Sequence, residues 1–297
     1  MEAHRYGDPN GTLQSQTPCP GSLDSNAVGC AERLGRGVMT STADRSALGM
    51  VSMYAYFATL WPERCVYSNI AGVVSLFSGS PIPGFNSVTV LDATADPATV
   101  EEVVNEMAAR GYPFTFQQRP ETGSHYDQLI TRHQLTRDDP VPLMVHFRTD
   151  QMNVQPVPGL QCRILAPEDV QQHLRLVCTI FDMDFAEAAA FFTPQVMSDA
   201  GVYAMVGEVD GGIVSTGVCV LVDEWAGLFS IGTLAEQRGH GYGAAITAAC
   251  AHLGYSRGAS ASVLQASPMG LPVYERMGFT VQESWSRAYR VTTPSDL

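Results

Sequence analysis

One short segment, Arg238-Gly239-His240-Gly241-Tyr242-Gly243, constrains the fold of this chain more than any other. It follows an apolar strand predicted over 228–234 and precedes a helix of small residues predicted over 244–253. The glycines let the backbone turn so that several N–H groups point outward together, at the positive end of the helix. A strand, a glycine-rich turn and a helix in this order predict an α/β domain with a binding site for a phosphate or pyrophosphate group.

Two other interpretations of this glycine-rich loop, residues 238–243, stay open. Such a turn can simply connect a strand to a helix, with no ligand. A dinucleotide-binding fold also uses a glycine-rich turn, but no acidic residue stands at the expected distance in a following βαβ unit, and this disfavours it.

The basic residues are all arginines, because the chain contains 17 Lys+Arg and no lysine. This absence excludes a Schiff-base lysine, a pyridoxal-phosphate anchor and a GK[ST] phosphate loop, since each needs a primary amine. The formal net charge of −13 disfavours nucleic acid and anionic membranes as partners. Acidity of this kind usually serves solubility and does not by itself indicate a cationic substrate.

The cysteines and histidines give no metal or disulfide pattern. The seven cysteines are scattered and form no CxxC pair, which favours a reduced, cytoplasmic protein. His125, His133 and His146 share no spacing typical of metal ligands, so no metal is expected. No apolar stretch approaches the roughly 18–20 residues of a membrane helix, and no membrane association is expected.

The order of predicted elements divides the chain into two similar halves. Both halves end in strand, helix, strand, helix, strand, and aligning Ile130 with Tyr274 also aligns Leu135 with Phe279. This repeat of roughly 145 residues suggests an internal duplication. A Gly-, Pro-, Ser- and Thr-rich beginning without an apolar segment is typical of a disordered leader. The expected division is a leader over 1–42, a first domain over 43–151, a linker over 152–162 and a second domain over 163–297.

A second motif lies downstream, in the segment 266–279, which contains Tyr274-Glu275 and ends in Gly278-Phe279. With the glycine-rich loop, which fits an [RQ]-x-x-G-x-[GA] pattern, it resembles the GNAT superfamily of N-acetyltransferases, which use acetyl-CoA. Ser267 stands where that family usually has asparagine, and Gly270 where it usually has alanine. The resemblance covers about residues 163–297.

The resemblance implies a fold and a role for each half. It implies a tandem GNAT fold of the α/β (α+β) class, each half with a mixed, mostly antiparallel central sheet flanked by helices. In the first half, Asp92-Ala93-Thr94-Ala95-Asp96-Pro97 stands where the glycine-rich loop would be. Two carboxylates and a proline without an N–H would repel a pyrophosphate, so this half is expected to be degenerate and to bind no CoA.

The resemblance also implies direct transfer of an acyl group to an amine. Backbone amides near the end of the fourth strand would hold the carbonyl oxygen, and Tyr274 would stabilise the departing thiolate. Arg238 is the first candidate for a cation at the phosphates, followed by Arg276 and Arg257. The residues expected to contact acetyl-CoA, or another acyl-CoA, are Ile231, Gly232, Thr233, Leu234, Arg238, Gly239, His240, Gly241, Tyr242, Gly243, Ala244, Ser267, Tyr274 and Arg276.

The general base is less defined by the sequence. Glu224, just before the fourth strand, is the favoured carboxylate, with Asp223 as its neighbouring competitor. Asp182, Asp184 and Glu187 lie on the segment that covers the acceptor site in this fold. For each of these carboxylates, Glu224 and Asp223 included, the more common interpretation is a solvated surface group.

Three functional hypotheses follow. The leading one is an acyl-CoA-dependent N-acyltransferase that acetylates a small-molecule amine. A second uses an acyl carrier protein's phosphopantetheine thioester as the donor, and a third is a CoA-binding module without catalysis. A monomer and a homodimer are both compatible with the sequence.

Overall fold

The computed structural model describes residues 41–122, 126–148 and 152–290. The predicted leader lies outside the described residues, apart from its last two positions. The helices are α1 (Thr42–Leu60), α2 (Pro97–Ala109), α3 (Asp127–Arg132), α4 (Val170–Phe181), α5 (Phe185–Phe191), α6 (Pro194–Met197), α7 (Tyr242–Ser256) and α8 (Leu271–Met277). The strands are β1 (Val66–Ile70), β2 (Val73–Phe77), β3 (Ser87–Val90), β4 (Phe114–Gln118), β5 (Thr136–Phe147), β6 (Gln161–Ile164), β7 (Val202–Val209), β8 (Gly212–Val222), β9 (Trp225–Thr233), β10 (Ala261–Gln265) and β11 (Thr280–Arg290).

The described strands form one sheet, in the order β1-β2-β3-β4-β11-β5-β10-β9-β8-β7-β6. The β3/β4 and β9/β10 neighbours are parallel, and the other neighbours are antiparallel. This is the mixed, mostly antiparallel character that the resemblance to the GNAT superfamily implies, here in one continuous sheet. The sheet runs through both halves of the chain.

The halves exchange their last strands at the centre of this sheet. β11, from the end of the chain, pairs with β4 of the first half, with Ser286 opposite Gln118. β5, which ends the first half, pairs with β10 of the second half, with Val145 opposite Val263. β5 and β11 also pair with each other. Each half therefore completes the sheet of the other, and the order β1-β2-β3-β4-β11 mirrors β7-β8-β9-β10-β5, with β6 as an additional edge strand. The predicted boundary between two domains remains a prediction.

Helices cover both faces of the sheet, because neighbouring strand residues point to opposite sides. Val218 and Val220 pack into a core that includes α1 and α4, whereas Cys219 between them packs into a core that includes α7 and α8. On the same side as α7, α2 packs over the strands of the first half through Val100 and Val104. No described helix combines the length and the apolar character needed to cross a membrane.

Candidate active site

A gap opens between β9 and β10. Their pairing runs from Trp225 opposite Ala261 to Gly227 opposite Val263 and then stops, whereas β10 stays paired with β5 as far as Gln265. Beyond Gly227, the edge of β9 that faces β10 has no strand partner. Its backbone N–H groups are therefore accessible to a ligand placed in the gap.

A bulge in β9 lies beside this gap. Ser230 has a φ of +50°, and the register of β9 against β8 shifts next to Gly217. A Cβ on Gly217 would lie only 2.7 Å from Cδ1 of Ile231, so glycine lets the bulge pack against β8. The bulge sends Ser230 to one cavity and Ile231 to another.

The first cavity has a volume of about 710 Å³ and lies between the end of β9, the start of α7 and α8. It brings together residues that are distant in the sequence. The predicted residues that line it are Ile231, Gly232, Thr233, Arg238, Gly239, His240, Gly241, Tyr242, Gly243, Ala244, Ser267, Tyr274 and Arg276.

The glycine-rich loop forms the polar wall of the first cavity. Gly239 and Gly241 have φ values of +84° and +86°, a region that favours glycine. Gly241 is the N-cap of α7 and no side chain caps this helix end. The first N–H groups of a helix have no partner within it, and they carry the positive end of the helix dipole. This wall is suited to an anion such as pyrophosphate.

The arginines predicted for phosphate binding do not all lie here. Arg238 donates through Nε to the carbonyl oxygen of Thr233 at 3.3 Å, which holds its guanidinium at the rim. Arg276 also lines the first cavity and is exposed. Arg257 lies at the opposite end of α7, over the ring of Tyr203. The expectation that it contacts the phosphates is therefore wrong.

Tyr274 lies on α8 with 8% of its surface exposed. Burial raises the pKa of its phenol to about 12, partly offset by a hydrogen bond with the side chain of Thr247. The ring packs against Gly270, where a Cβ would come within 2.8 Å of Cε2 of Tyr274. Gly270 therefore leaves room for the tyrosine ring in its observed position.

Two hydroxyl groups complete the cavity wall. The Thr233 hydroxyl is buried and has no hydrogen-bond partner among the described residues. The Ser267 hydroxyl accepts a hydrogen bond from the N–H of Gly270 at 3.1 Å and so stabilises the turn before α8. The Thr233 hydroxyl is thus buried and unpaired among the described residues, whereas the Ser267 hydroxyl has a structural partner.

Sequence reasoning missed the residues over 153–158, which form another wall of the first cavity. The Asn153 side chain donates to the carbonyl oxygen of Arg276 at 2.9 Å. Val157 lies against Gly241, where a Cβ would be 3.2 Å from Cγ2 of Val157. Pro156 and Pro158 are typical of a linker, and no local signal indicates that this segment packs on the loop.

Two predicted site residues lie elsewhere. The N–H of Leu234 donates to the carbonyl oxygen of Val214 at 3.0 Å, so it is not free for a ligand, and Leu234 does not line the cavity. Glu224 lies in the turn between β8 and β9, where it is exposed and forms a 2.9 Å ion pair with Arg45. β9 begins at Trp225, and Ile231 lies seven positions after Glu224, roughly 23 Å along an extended strand. At this distance the Glu224 carboxylate does not reach the site, so the expectation that it does is wrong.

The competing carboxylates have local roles. Asp223 shares the turn with Glu224 and has a φ of +51°. Asp182 ends α4 in a left-handed conformation, and Asp184 accepts hydrogen bonds from the N–H groups of Ala186 and Glu187 at the start of α5. These carboxylates, like that of Glu187, line neither cavity.

The second cavity, of about 470 Å³, lies on the side of the gap that faces α1. Ser230 of β9 and Gln265 of β10 line its end at the gap. Its other walls come from α1, from the segment before β3 and from α4 to α6. The aromatic side chains that line it are Tyr54, Phe57, Trp61, Phe85, Phe181, Phe191, Phe192 and Phe229.

Comparison with known families agrees with this geometry. Residues 171–279 match the sequence profile of the Acetyltransferase (GNAT) family. These residues form a GNAT domain. The matched segment contains β9, the glycine-rich loop, α7 and Tyr274. A search of curated proteins found no match for the chain. Among the described residues, no group of three or more His, Cys, Asp or Glu side chains is arranged to hold a metal ion.

Solved structures share the fold over most of the chain. A GCN5-related N-acetyltransferase from Kribbella flavida is similar over 84% of this chain and 96% of its own, with a TM-score of 0.65 and 18% identity. A GCN5-related N-acetyltransferase from Sphaerobacter thermophilus is similar over 75% of this chain and 78% of its own, with a TM-score of 0.55 and 16% identity. A tandem GNAT protein from the clavulanic acid biosynthesis pathway is similar over 91% of this chain and 96% of its own, with a TM-score of 0.52 and 12% identity. The likeness extends beyond the GNAT domain to the first half and concerns the fold.

Proposed function

We propose that the GNAT domain transfers an acyl group, most simply acetyl, from acyl-CoA to the amine of a small molecule. The observation that carries this proposal is the meeting of two cavities at one gap in the sheet. The first cavity contains the N-terminus of α7, which is suited to an anion, and the second has an apolar interior. A donor in the first cavity and an acceptor in the second would meet beside Ser230 and Ile231.

Three features of the first cavity support acyl-CoA as the donor. The glycine-rich loop offers N–H groups at a helix N-terminus to a pyrophosphate. Arg238 and Arg276 offer cationic side chains at the rim. The buried Thr233 hydroxyl has no described partner and lies where the pantetheine arm would pass towards the gap.

The free edge of β9 and Tyr274 supply the groups that the reaction needs. The acceptor nitrogen forms a bond to the thioester carbonyl carbon, and N–H groups within 231–233 stabilise the oxygen as it gains negative charge. The C–S bond then breaks, and the nitrogen's proton passes to the thiolate, directly or through water. Because a phenol with a pKa of about 12 is a weaker acid than a thiol near 8.5, Tyr274 donates a hydrogen bond to the thiolate and keeps its own proton.

The donor and the reaction can be tested separately. Isothermal titration calorimetry with CoA, acetyl-CoA and S-acetylpantetheine tests the first cavity. We expect both CoA compounds to bind at least tenfold more tightly than S-acetylpantetheine, because only they carry the pyrophosphate. Equal affinities would favour a carrier-protein thioester as the donor.

Release of free thiol from acetyl-CoA, measured with a panel of amines, tests transfer. The acetylated amine should appear by mass spectrometry in an amount equal to the thiol released. Tight CoA binding without thiol release for any amine would contradict the proposed transfer and favour a CoA-binding module.

A further inference from the structure

The second cavity differs in chemistry from the first. Its walls are mainly aromatic and apolar, and none of the described residues that line it is charged. Trp61 contacts Phe191 edge to face with ring centroids 5.4 Å apart, and Phe57 contacts Phe229 in the same way at 5.2 Å. Rings held in this way form a rigid apolar wall suited to a flat apolar molecule.

The polar groups of the second cavity are neutral, and several are already paired. The Gln265 amide, at the gap, donates to the Gln117 side chain at 3.0 Å. The Ser78 hydroxyl donates to the Asn86 side-chain oxygen at 3.1 Å. These groups can position a neutral amine, but they cannot neutralise a cation.

The absence of charge in these walls bears on the protonation state of the acceptor. An alkylamine has a pKa near that of lysine, about 10.4, and is almost entirely an ammonium ion at pH 7. Moving that ion into an apolar cavity without a carboxylate costs several kcal/mol. It would also need a base, and Glu224, the favoured candidate in the sequence, lines neither cavity and lies roughly 23 Å from Ile231 along β9.

We infer that the second cavity binds the acceptor, and that the acceptor is a weakly basic amine carried on an aromatic body. This inference rests on the proposed acyl transfer. The nitrogen lone pair of an aromatic amine is delocalised into the ring, so the amine is uncharged at neutral pH. It enters the cavity without desolvating a charge and attacks without prior loss of a proton. The volume of about 470 Å³ lies in the range of sites for small organic ligands.

A matched pair of probes tests the inference. 2-Naphthylamine is neutral at pH 7.5, whereas 2-naphthylmethylamine has the same rings and a cationic amine. We expect at least tenfold tighter binding of 2-naphthylamine by calorimetry, in the presence of CoA. We also expect a higher kcat/KM for its acetylation, unchanged between pH 6.5 and 8.5. Preferential binding and acetylation of 2-naphthylmethylamine would overturn the inference and leave the proposed transfer intact.

A charge introduced at the gap should change this preference. Gln265→Glu places a carboxylate in the second cavity with almost no change in volume. We expect it to lower the 2-naphthylamine to 2-naphthylmethylamine ratio of kcat/KM at least tenfold. Gln128→Glu makes the same change on an exposed face of α3 and should leave the ratio as in the unmodified protein. An unchanged ratio in folded Gln265→Glu protein would overturn the inference.

A bulky side chain at the edge of the second cavity tests its location. Met183 is partly exposed and lines the cavity, so Met183→Trp should reduce the space. We expect KM for 2-naphthylamine to rise at least tenfold while the Kd of acetyl-CoA stays unchanged.

If octanoyl-CoA is instead a better donor than acetyl-CoA and loses this advantage in Met183→Trp, the cavity holds an acyl chain and the inference fails. Binding of 2-naphthylamine without its acetylation would support the ligand class and contradict the proposed transfer.

Discussion

Arg119 and Glu283 form a buried, bidentate ion pair between the two halves of the chain. Nε of Arg119 lies 2.8 Å from Oε1 of Glu283, and Nη2 lies 3.0 Å from Oε2, with side-chain exposures of 5% and 6%. The same guanidinium contacts Asp44 of α1 at 2.8 Å, and the Trp285 indole donates to Glu283. Because Arg119 follows β4 and Glu283 lies in β11, the pair links the exchanged strand to the half that receives it.

Glu283→Gln should lower the free energy of unfolding by about 3 kcal/mol, because it leaves the Arg119 charge buried with only Asp44 as an anionic partner. Chemical denaturation with urea measures this change. Arg45→Gln offers a matched control, since it breaks an ion pair whose side chains are 53% and 46% exposed. Such exposed pairs contribute about 1 kcal/mol or less. Equal urea midpoints for the two variants would show that the buried pair does not hold β11 in place.

The first cavity could be predicted because its defining signals are local. The glycine-rich loop determines its own conformation through the positive φ values of Gly239 and Gly241 and the helix that follows. Tyr274 lies seven residues after Ser267 on one turn and helix, so both enter the cavity together. The segment 153–158 has no such signal, since its packing depends on residues roughly a hundred positions away.

The exchange of strands could not be predicted, because it depends on pairing between distant residues. The apolar part of β5 begins at Val141, after a run of charged residues and Pro140, yet the strand itself begins at Thr136. There it pairs with β11, Thr136 opposite Tyr289. Tertiary pairing therefore overrides local preference in this strand. Glu224 fails to reach the site for a similar reason, since residues 225–227 pair with β8 and β10 and keep the chain extended between Glu224 and the gap.

Tyr274→Phe should lower kcat by roughly ten- to a thousand-fold, at or somewhat below the usual range for acid–base groups. The variant keeps the ring that packs on Gly270 and removes the hydroxyl that would stabilise the thiolate. Steady-state thiol release with acetyl-CoA measures kcat, and calorimetry should give an unchanged Kd for CoA. An unchanged kcat would exclude Tyr274 from the reaction.

Gly270→Ala should lower kcat through the position of Tyr274. The added Cβ would lie 2.8 Å from Cε2 of the tyrosine ring, so the ring must shift from its observed position. We expect about a tenfold loss, since small displacements of a catalytic group are costly. Gly212→Ala is the matched control, because its nearest contact is at 3.5 Å and it lies in a distant hairpin. Similar kinetics for the two variants would show that the ring tolerates the methyl group.

Gly239→Ala should weaken acyl-CoA binding, because its φ of +84° is unfavourable for alanine and the loop must rearrange. We expect the Kd for acetyl-CoA to rise at least tenfold. Gly111→Ala is a matched control for strain alone, since Gly111 has a φ of +77° and open space around it, remote from the first cavity. Its substitution should cost about 1 kcal/mol of stability and leave the Kd unchanged. An unchanged Kd in Gly239→Ala would count against the loop as the pyrophosphate site.

His173 should make the protein less stable as the pH falls. Burial lowers the pKa of this imidazole from 6.5 to about 4. Nδ1 lies 3.0 Å from the Thr216 hydroxyl, and Nε2 is buried without a partner among the described residues. A proton on Nε2 would therefore have no acceptor within the part of the chain that the structure describes.

Between pH 6.5 and about 4 the unfolded chain binds a proton at this histidine that the folded protein does not. The free energy of unfolding is therefore unaffected by this group above pH 6.5. It falls by roughly 3 kcal/mol in total as the pH drops from 6.5 to about 4. His173→Gln should reduce the slope of unfolding free energy against pH in that interval, as measured by urea denaturation. Burial also lowers the pKa of His146, which should supply part of the slope that remains. A slope identical to that of the unmodified protein would mean that His173 takes up its proton without unfolding.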